Sequence, residues 1–246
     1  MNRLFYGTWE LDGTLKKIDE SKAEDLIKYA KKLGINKFDT ALAYGNGKVE
    51  KILSRTTTDG DIILTKVPAV TKPKLDSTNS LEYYPCGYVV EKVNESRKNL
   101  SRSVIDIVLL HNWSLSWGSE EPCLDELLDL KRKEQIKYIG ISLPNNYNNR
   151  LSEQIVEKID YVEAPFNIEN NWIINDLNFY REHNVKVILR SIFLQGKTIK
   201  DGSVNVEETI KRIAKYDTYI AIGMTEERQI AENINVLEKV SENNEE

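Results

Sequence analysis

Val104-Ile105-Asp106-Ile107-Val108-Leu109-Leu110 is the most apolar run in the chain, and its reading decides the fold. It reads as a β-strand, rich in β-branched residues and bounded by polar ones. Seven similar runs lie outward from it. Residues 4–9, 36–39 and 61–66 precede it, and residues 138–141, 161–164, 185–189 and 219–223 follow. Between the runs the apolar spacing changes to that of amphipathic helices. Leu26, Ile27, Ala30 and Leu33 share one face, and Gly34 follows as a helix C-cap. Val89, Val93, Ser96 and Leu100 form a second stripe. Leu124, Leu127, Leu128 and Lys131 form a third, and Ile230, Ile234, Leu237 and Val240 the last.

Strands alternating with helices imply a parallel sheet with right-handed crossovers. Eight such units in a chain of 246 residues predict an α/β fold, a closed (β/α)8 TIM barrel. An open doubly wound sheet often carries a glycine-rich phosphate loop after its first strand. Here that strand runs into Glu10-Leu11-Asp12-Gly13, which does not fit. With no linker or change of composition, residues 1–246 are expected to form a single domain, with 241–246 a polar tail. The longest irregular stretch, residues 67–87, holds three of the six prolines and follows the third strand.

The net charge of -5 argues against a nucleic-acid surface, which usually carries a basic patch. No apolar run approaches the roughly 18 residues that span a bilayer. The N-terminal stretch lacks the apolar core of a signal peptide. Cys86 and Cys123 form no CxxC pair and are expected to be free thiols in a reducing compartment. A cytoplasmic protein with no membrane or nucleic-acid partner is the expectation. His111 and His183 are the only histidines, too few for a His-rich metal centre, and no metal is expected. The composition is silent on oligomeric state.

In such a barrel, reactive groups sit at the C-terminal ends of the strands. Asp39 ends the second strand, Lys66 the third and His111 the fourth, while Tyr44 lies five positions beyond Asp39. A tyrosine is a weak acid near neutral pH. A neighbouring lysine cation is expected to lower its pKa. Asp39 could keep that lysine charged in a dry pocket, and a histidine could orient the substrate oxygen. Together the four suit proton donation to an oxygen that gains negative charge, as a carbonyl does under hydride attack.

The segment Gly34-Ile35-Asn36-Lys37-Phe38-Asp39-Thr40-Ala41-Leu42-Ala43-Tyr44-Gly45 resembles the signature of the aldo-keto reductases. Leu64-Thr65-Lys66, residues 105–111 ending in His111, residues 137–142 ending in Ser142, and the helix segment with Gln229 and Asn233 resemble further family segments, in the family's order. The resemblance implies an NAD(P)H-dependent reductase acting on an aldehyde, ketone or sugar-like carbonyl. Tyr44 would be the general acid, with Lys66, Asp39 and His111 as its catalytic partners. It also implies cofactor contacts from Thr8, Trp9, Asp39, Ser142, Glu163, Ser191, Phe193, Gly223, Gln229 and Asn233. Trp9, Tyr44, His111 and Trp113 would contact substrate, with Trp117 a further candidate for an aromatic wall.

Three positions depart from the family pattern. Leu143 stands where an Asn often follows the serine, and Glu163 where a Gln commonly holds the nicotinamide carboxamide. No basic residue occurs in Gly223-Met224-Thr225, where many members bind the 2′-phosphate, although Arg228 is close in sequence. NADPH is therefore the expected cofactor, with NADH left open. A nicotinamide-binding barrel with a regulatory role is the alternative reading, since the fold alone does not prove catalysis. Gly45-Asn46-Gly47 looks like the start of a dinucleotide loop but lacks its third glycine. It is expected to be a turn into the second helix.

Overall fold

The computed structural model describes residues 3–14, 16–200 and 202–242. Eight strands form one closed, wholly parallel barrel in sequence order. They are β1 (Leu4–Gly7), β2 (Lys37–Asp39), β3 (Ile62–Pro68), β4 (Ile105–His111), β5 (Ile136–Ser142), β6 (Tyr161–Pro165), β7 (Lys186–Arg190) and β8 (Tyr219–Gly223). The helices are α1 (Glu20–Lys32), α2 (Lys48–Thr56), α3 (Tyr88–Leu100), α4 (Pro122–Arg132), α5 (Glu153–Val156), α6 (Leu177–Glu182), α7 (Lys197–Lys200), α8 (Val206–Ala214) and α9 (Glu227–Glu242). No described helix is long and apolar enough to cross a membrane.

All eight expected strands form, with shifted ends. Lys66 is not the last residue of β3, because Val67 and Pro68 continue the ladder opposite Leu110 and His111. On α4 the buried face is Cys123, Leu124, Leu127 and Leu130. Leu128 and Lys131 lie at its edge, where the Lys131 ammonium reaches the Asp160 carboxylate at 2.6 Å. Helix α9 runs through Glu242, so the expected polar tail begins inside a helix, and residues 243–246 lie outside the described residues. Gly34 takes the left-handed conformation after α1, with φ of 88°. Asp19 caps the other end of that helix by accepting from the Lys22 backbone N–H at 2.8 Å.

Parallel strands covered by helices are buried on both faces, which is why their sequences read as nearly continuous apolar runs. Side chains pointing outward, such as Val108 and Leu110 on β4, join the layer packed against the helices. Those pointing inward form a separate apolar plug of Phe5, Leu64, Ile107, Leu109, Tyr161, Ile188 and Ala221. Successive residues of a strand alternate faces, so the residue two positions beyond each plug residue also points inward, one layer higher. Those residues are Gly7, Lys66, His111, Glu163, Arg190 and Gly223. Gly140 supports this layering. A Cβ there would overlap the Tyr161 carbonyl and meet the Leu109 side chain, so only glycine lets β5 and β6 pair.

Candidate active site

The polar layer above the plug gathers charged groups from strands distant in sequence. Lys66 on β3 donates to the Asp39 carboxylate on β2 and, at 3.2 Å, to the Thr40 carbonyl. Its ammonium also lies 3.4 Å from Glu163 Oε1 on β6. Glu163 accepts from the Ser142 hydroxyl on β5, and its Oε2 lies 3.4 Å from Arg190 Nε on β7. Arg190 also donates to the Leu143 carbonyl, to Asn145 Oδ1 at 2.6 Å and to Ser191 Oγ at 2.8 Å. Lys66 and Glu163 are 1% and 0% exposed. Buried charges at such positions require this pairing, because an isolated one would carry a prohibitive desolvation cost.

Tyr44 hangs over this layer from the loop after β2. Gly45, Asn46 and Gly47 take φ values of 59°, 53° and 80°. Two glycines and an asparagine make that left-handed run affordable. The segment is thus a turn into α2, and it presents the Tyr44 ring edge-on to the His111 ring, 6.5 Å between centroids. The Lys66 ammonium is 5.6 Å from the Tyr44 ring centroid.

The electrostatics correct one sequence expectation. Burial dominates at Tyr44 and pushes its phenol up to about 12, despite the downward pull of Lys66 and with Asp39 and Glu163 pushing the same way as burial. The lysine does not bring this tyrosine below its ordinary value. Burial raises Asp39 to about 7 against the pull of Lys66. Burial opposes the Lys66 charge too, but the carboxylates of Asp39 and Glu163 outweigh it and hold the ammonium above its usual value. Burial, then Lys66 and Arg190, lower His111 to about 3, so its imidazole is neutral at working pH.

A cavity of about 520 Å³ opens on this layer. Asp39, Tyr44, His111 and Glu163 line it, as do Trp9, Ser191, Phe193, Gly223 and Gln229. Four expected contacts lie elsewhere. Thr8 is buried and donates its hydroxyl to the Asp39 carbonyl at 2.8 Å, so it fixes β2 rather than facing the cavity. The Ser142 hydroxyl is spent on Glu163, and the Asn233 side chain is buried away from the lining. Trp113 does not form a substrate wall. It is 1% exposed and packs edge-on against Trp117 at 5.2 Å, beneath the loops, because its large apolar surface is better covered there.

Sequence reasoning missed Arg190, Asn145 and Lys16, which also line the cavity. Arg190 could have been found by counting two positions on from Ile188. Lys16 had no local signal. Its ammonium reaches Thr225 Oγ1 at 2.6 Å, across 209 residues of sequence, and brings a cation to the segment that has none of its own. Arg228 does not serve there, since it is exposed and faces Glu232 at 3.7 Å.

A barrel closed on eight parallel strands, with a Tyr-His-Lys-Asp group above its apolar plug, defines the class of protein. A sequence model of the aldo/keto reductase family matches residues 3–205, and the chain belongs to that family. It is 25% identical over 220 residues to the aldo-keto reductase YhdN of Bacillus subtilis, covering 85% of this chain and 63% of that protein. An aldo-keto reductase of Alternaria alternata is 26% identical over 196 residues, covering 70% of this chain and 52% of the relative. The chain thus spans between half and two thirds of the length of these two relatives. Among solved structures, an aldo-keto reductase of Bacillus halodurans in its holo form superposes with a TM-score of 0.73 at 21% identity, covering 96% of this chain and 86% of that one. An aldo/keto reductase of Klebsiella pneumoniae solved with NADP and acetate gives 0.72 at 15% identity, covering 96% and 85%. At these identities the structures speak to the fold.

Proposed function

We propose that this chain reduces a small carbonyl compound to an alcohol with NADPH, with Tyr44 as the general acid. One observation carries the reading: Tyr44, His111, Asp39 and Glu163 line the same cavity, with the Lys66 ammonium behind them. The buried phenol stays protonated through neutral pH, so it has a proton to give when a carbonyl oxygen becomes an alkoxide. The neutral imidazole of His111 can hold that oxygen by a hydrogen bond without competing as a charged acid. Lys66 supplies positive charge near the developing oxyanion.

The cavity fits a nicotinamide dinucleotide. Glu163 Oε1 is buried on its wall and accepts no hydrogen bond among the described residues, which leaves an acceptor for the carboxamide N–H groups. Trp9, Ser191, Phe193, Gly223 and Gln229 line the rest of the cavity. Lys16 beside Thr225 supplies the cation that a 2′-phosphate needs, which favours NADPH over NADH. When bound, the reduced cofactor supplies the hydride. The support from relatives is the family itself and a neighbour solved with NADP.

The test is NADPH oxidation against a panel of aldehydes, ketones and sugar-like carbonyls, with wild type and Tyr44→Phe side by side. The variant should lose roughly 100-fold or more in kcat, the usual scale for a general acid. Equal turnover in the two proteins would remove Tyr44 from the role.

A further inference from the structure

We propose that Glu163 is a second counter-ion to Lys66, and that by taking up part of the lysine's charge it keeps Tyr44 a phenol at rest, poised to give a proton to a carbonyl. This rests on the reductase reading above and adds a direction to it.

The geometry around the ammonium carries the inference. Lys66 hydrogen-bonds to the Asp39 carboxylate and the Thr40 carbonyl, and Tyr44 receives none of its hydrogens. Glu163 Oε1, on the opposite side of the barrel mouth in strand order, faces the same ammonium at 3.4 Å. A single cation therefore answers to two buried carboxylates. Arg190 does not release Glu163 from this competition. Its terminal nitrogens are spent on Leu143, Asn145 and Ser191, and its Nε stands 3.4 Å from Oε2, the oxygen turned away from Lys66. Neither Glu163 Oε1 nor Arg190 Nε makes a hydrogen bond among the described residues.

The charges facing Tyr44 can be taken strand by strand. Asp39 comes from β2, Lys66 from β3, Glu163 from β6 and Arg190 from β7. His111 from β4 is neutral and adds none. Asp12, from the short helix after β1, packs beside Gly45, and Lys72 lines the cavity. The inner four sum to zero: two carboxylates against two cations. Without Glu163, one carboxylate would face the two cations Lys66 and Arg190, a net positive field at the phenol that favours phenolate. The second carboxylate cancels it, and burial then decides in favour of the neutral ring. A phenol can give its proton to the alkoxide formed in carbonyl reduction; this leaves phenolate, which regains a proton from solvent. Alcohol oxidation starts from the phenolate, which this arrangement keeps scarce at rest.

The position of the carboxylate matters as much as its charge. Glu163 is the inward residue two places beyond Tyr161, held from β5 by the Ser142 hydroxyl. Glutamine at the same place would keep the shape and accept from Ser142, but would leave Lys66 with Asp39 alone.

The experiment uses full-length protein labelled with carbon-13 at the tyrosine Cζ atoms, with Tyr44→Phe identifying the Tyr44 resonance. Wild type, Glu163→Gln and Glu163→Asp are titrated by NMR, with near-ultraviolet circular dichroism to establish the fold. In wild type the Tyr44 signal should show no phenolate up to about pH 10.5, beyond the midpoint of an ordinary tyrosine. In Glu163→Gln the titration should move down by about one pH unit or more, while Glu163→Asp stays near wild type. Should the glutamine variant not fold, Glu163→Ala is the second neutral replacement. A neutral variant that titrates with wild type, or an Asp variant that shifts as far as the neutral one, overturns the proposal.

The directional half is read separately. At pH 8 and saturating cofactor and substrate, kcat for alcohol oxidation with NADP relative to kcat for carbonyl reduction should rise, by up to about tenfold, in Glu163→Gln, the factor that one pH unit implies. An unchanged ratio alongside a shifted titration overturns that half. The titration reports on Tyr44 whether or not any carbonyl is turned over, so failure of the reductase reading and failure of this inference are distinct results.

Discussion

The Tyr84 hydroxyl donates to the backbone carbonyl of His111 at 2.9 Å, with the Asn112 carbonyl at 3.3 Å. Tyr84 belongs to the loop that follows β3 and is buried, and burial holds its phenol well above its ordinary value, so it remains a donor. Asn112 takes φ of 96°, a conformation that asparagine rarely holds without support. The tyrosine thus clamps a strained backbone at the point where the His111 ring enters the cavity. The loop lies close to the active centre for this reason, rather than as a passive connection. Ser114 strengthens the clamp by donating to the carbonyls of Leu75 and Ser77, 2.7 and 2.6 Å away.

Tyr84→Phe removes the donor and leaves two carbonyls to relax. Stability should fall by about 1 kcal/mol, the usual value of one such bond. Carbonyl turnover should fall roughly tenfold in kcat with KM little changed, because the ring of His111 loses its aim. Steady-state kinetics with urea unfolding check both, and an unchanged kcat would show that His111 is positioned without Tyr84.

Lys16→Ala should separate the two dinucleotides. Its ammonium beside Thr225 is the feature expected to meet a phosphate monoester, which NADPH carries at the 2′-position and NADH lacks. Affinity for NADPH, read by fluorescence titration, should drop about tenfold, while that for NADH should stay within about twofold. Parallel losses for both would assign Lys16 a general structural role.

His111 makes a prediction about acid stability. Its folded pKa is lowered to about 3, chiefly by burial, from the ordinary histidine value of 6.5. The unfolded chain therefore takes up a proton between these values that the folded chain refuses. Stability is present above pH 6.5 and is lost as pH falls toward 3. The part of the ring that opens on the cavity tempers the effect, so wild type should lose roughly 1–2 kcal/mol more than His111→Asn between pH 7 and pH 5. Urea titrations at the two pH values give the comparison. Parallel losses in the two proteins would count against a buried, neutral His111.

Gly140→Ala tests the barrel itself. The added methyl would overlap the Tyr161 carbonyl and press on Leu109, and both are held by pairing on either side. Destabilisation of about 3 kcal/mol or more is expected, at the upper end for overpacking. A variant with the wild-type urea midpoint would mean that β5 and β6 are looser than this packing allows.

Strand periodicity and helix stripes make the order of elements legible in the residues. The strand ends mark Asp39 and His111, and the turn chemistry of Gly45-Asn46-Gly47 explains how Tyr44 is presented. Sequence misplaces Lys66 by two residues from its strand end, because Val67 and Pro68 extend β3 only through pairing with β4. It misjudges Trp113, since an aromatic after a strand can face the cavity or the packing beneath it, and only the neighbours decide.

By itself, then, the sequence determined an alternating α/β chain, its closure into a barrel, and the residues able to do acid chemistry at its rim. These follow from periodicity and side-chain type, which are local properties. Only the tertiary structure decided how the charges divide. Barrel closure places Glu163 and Arg190 opposite Lys66, brings Lys16 to Thr225, and buries Tyr44 deeply enough that desolvation outweighs the lysine's pull. Distance and burial set the strength of an electrostatic interaction, and the fold fixes both between residues that local pattern does not relate.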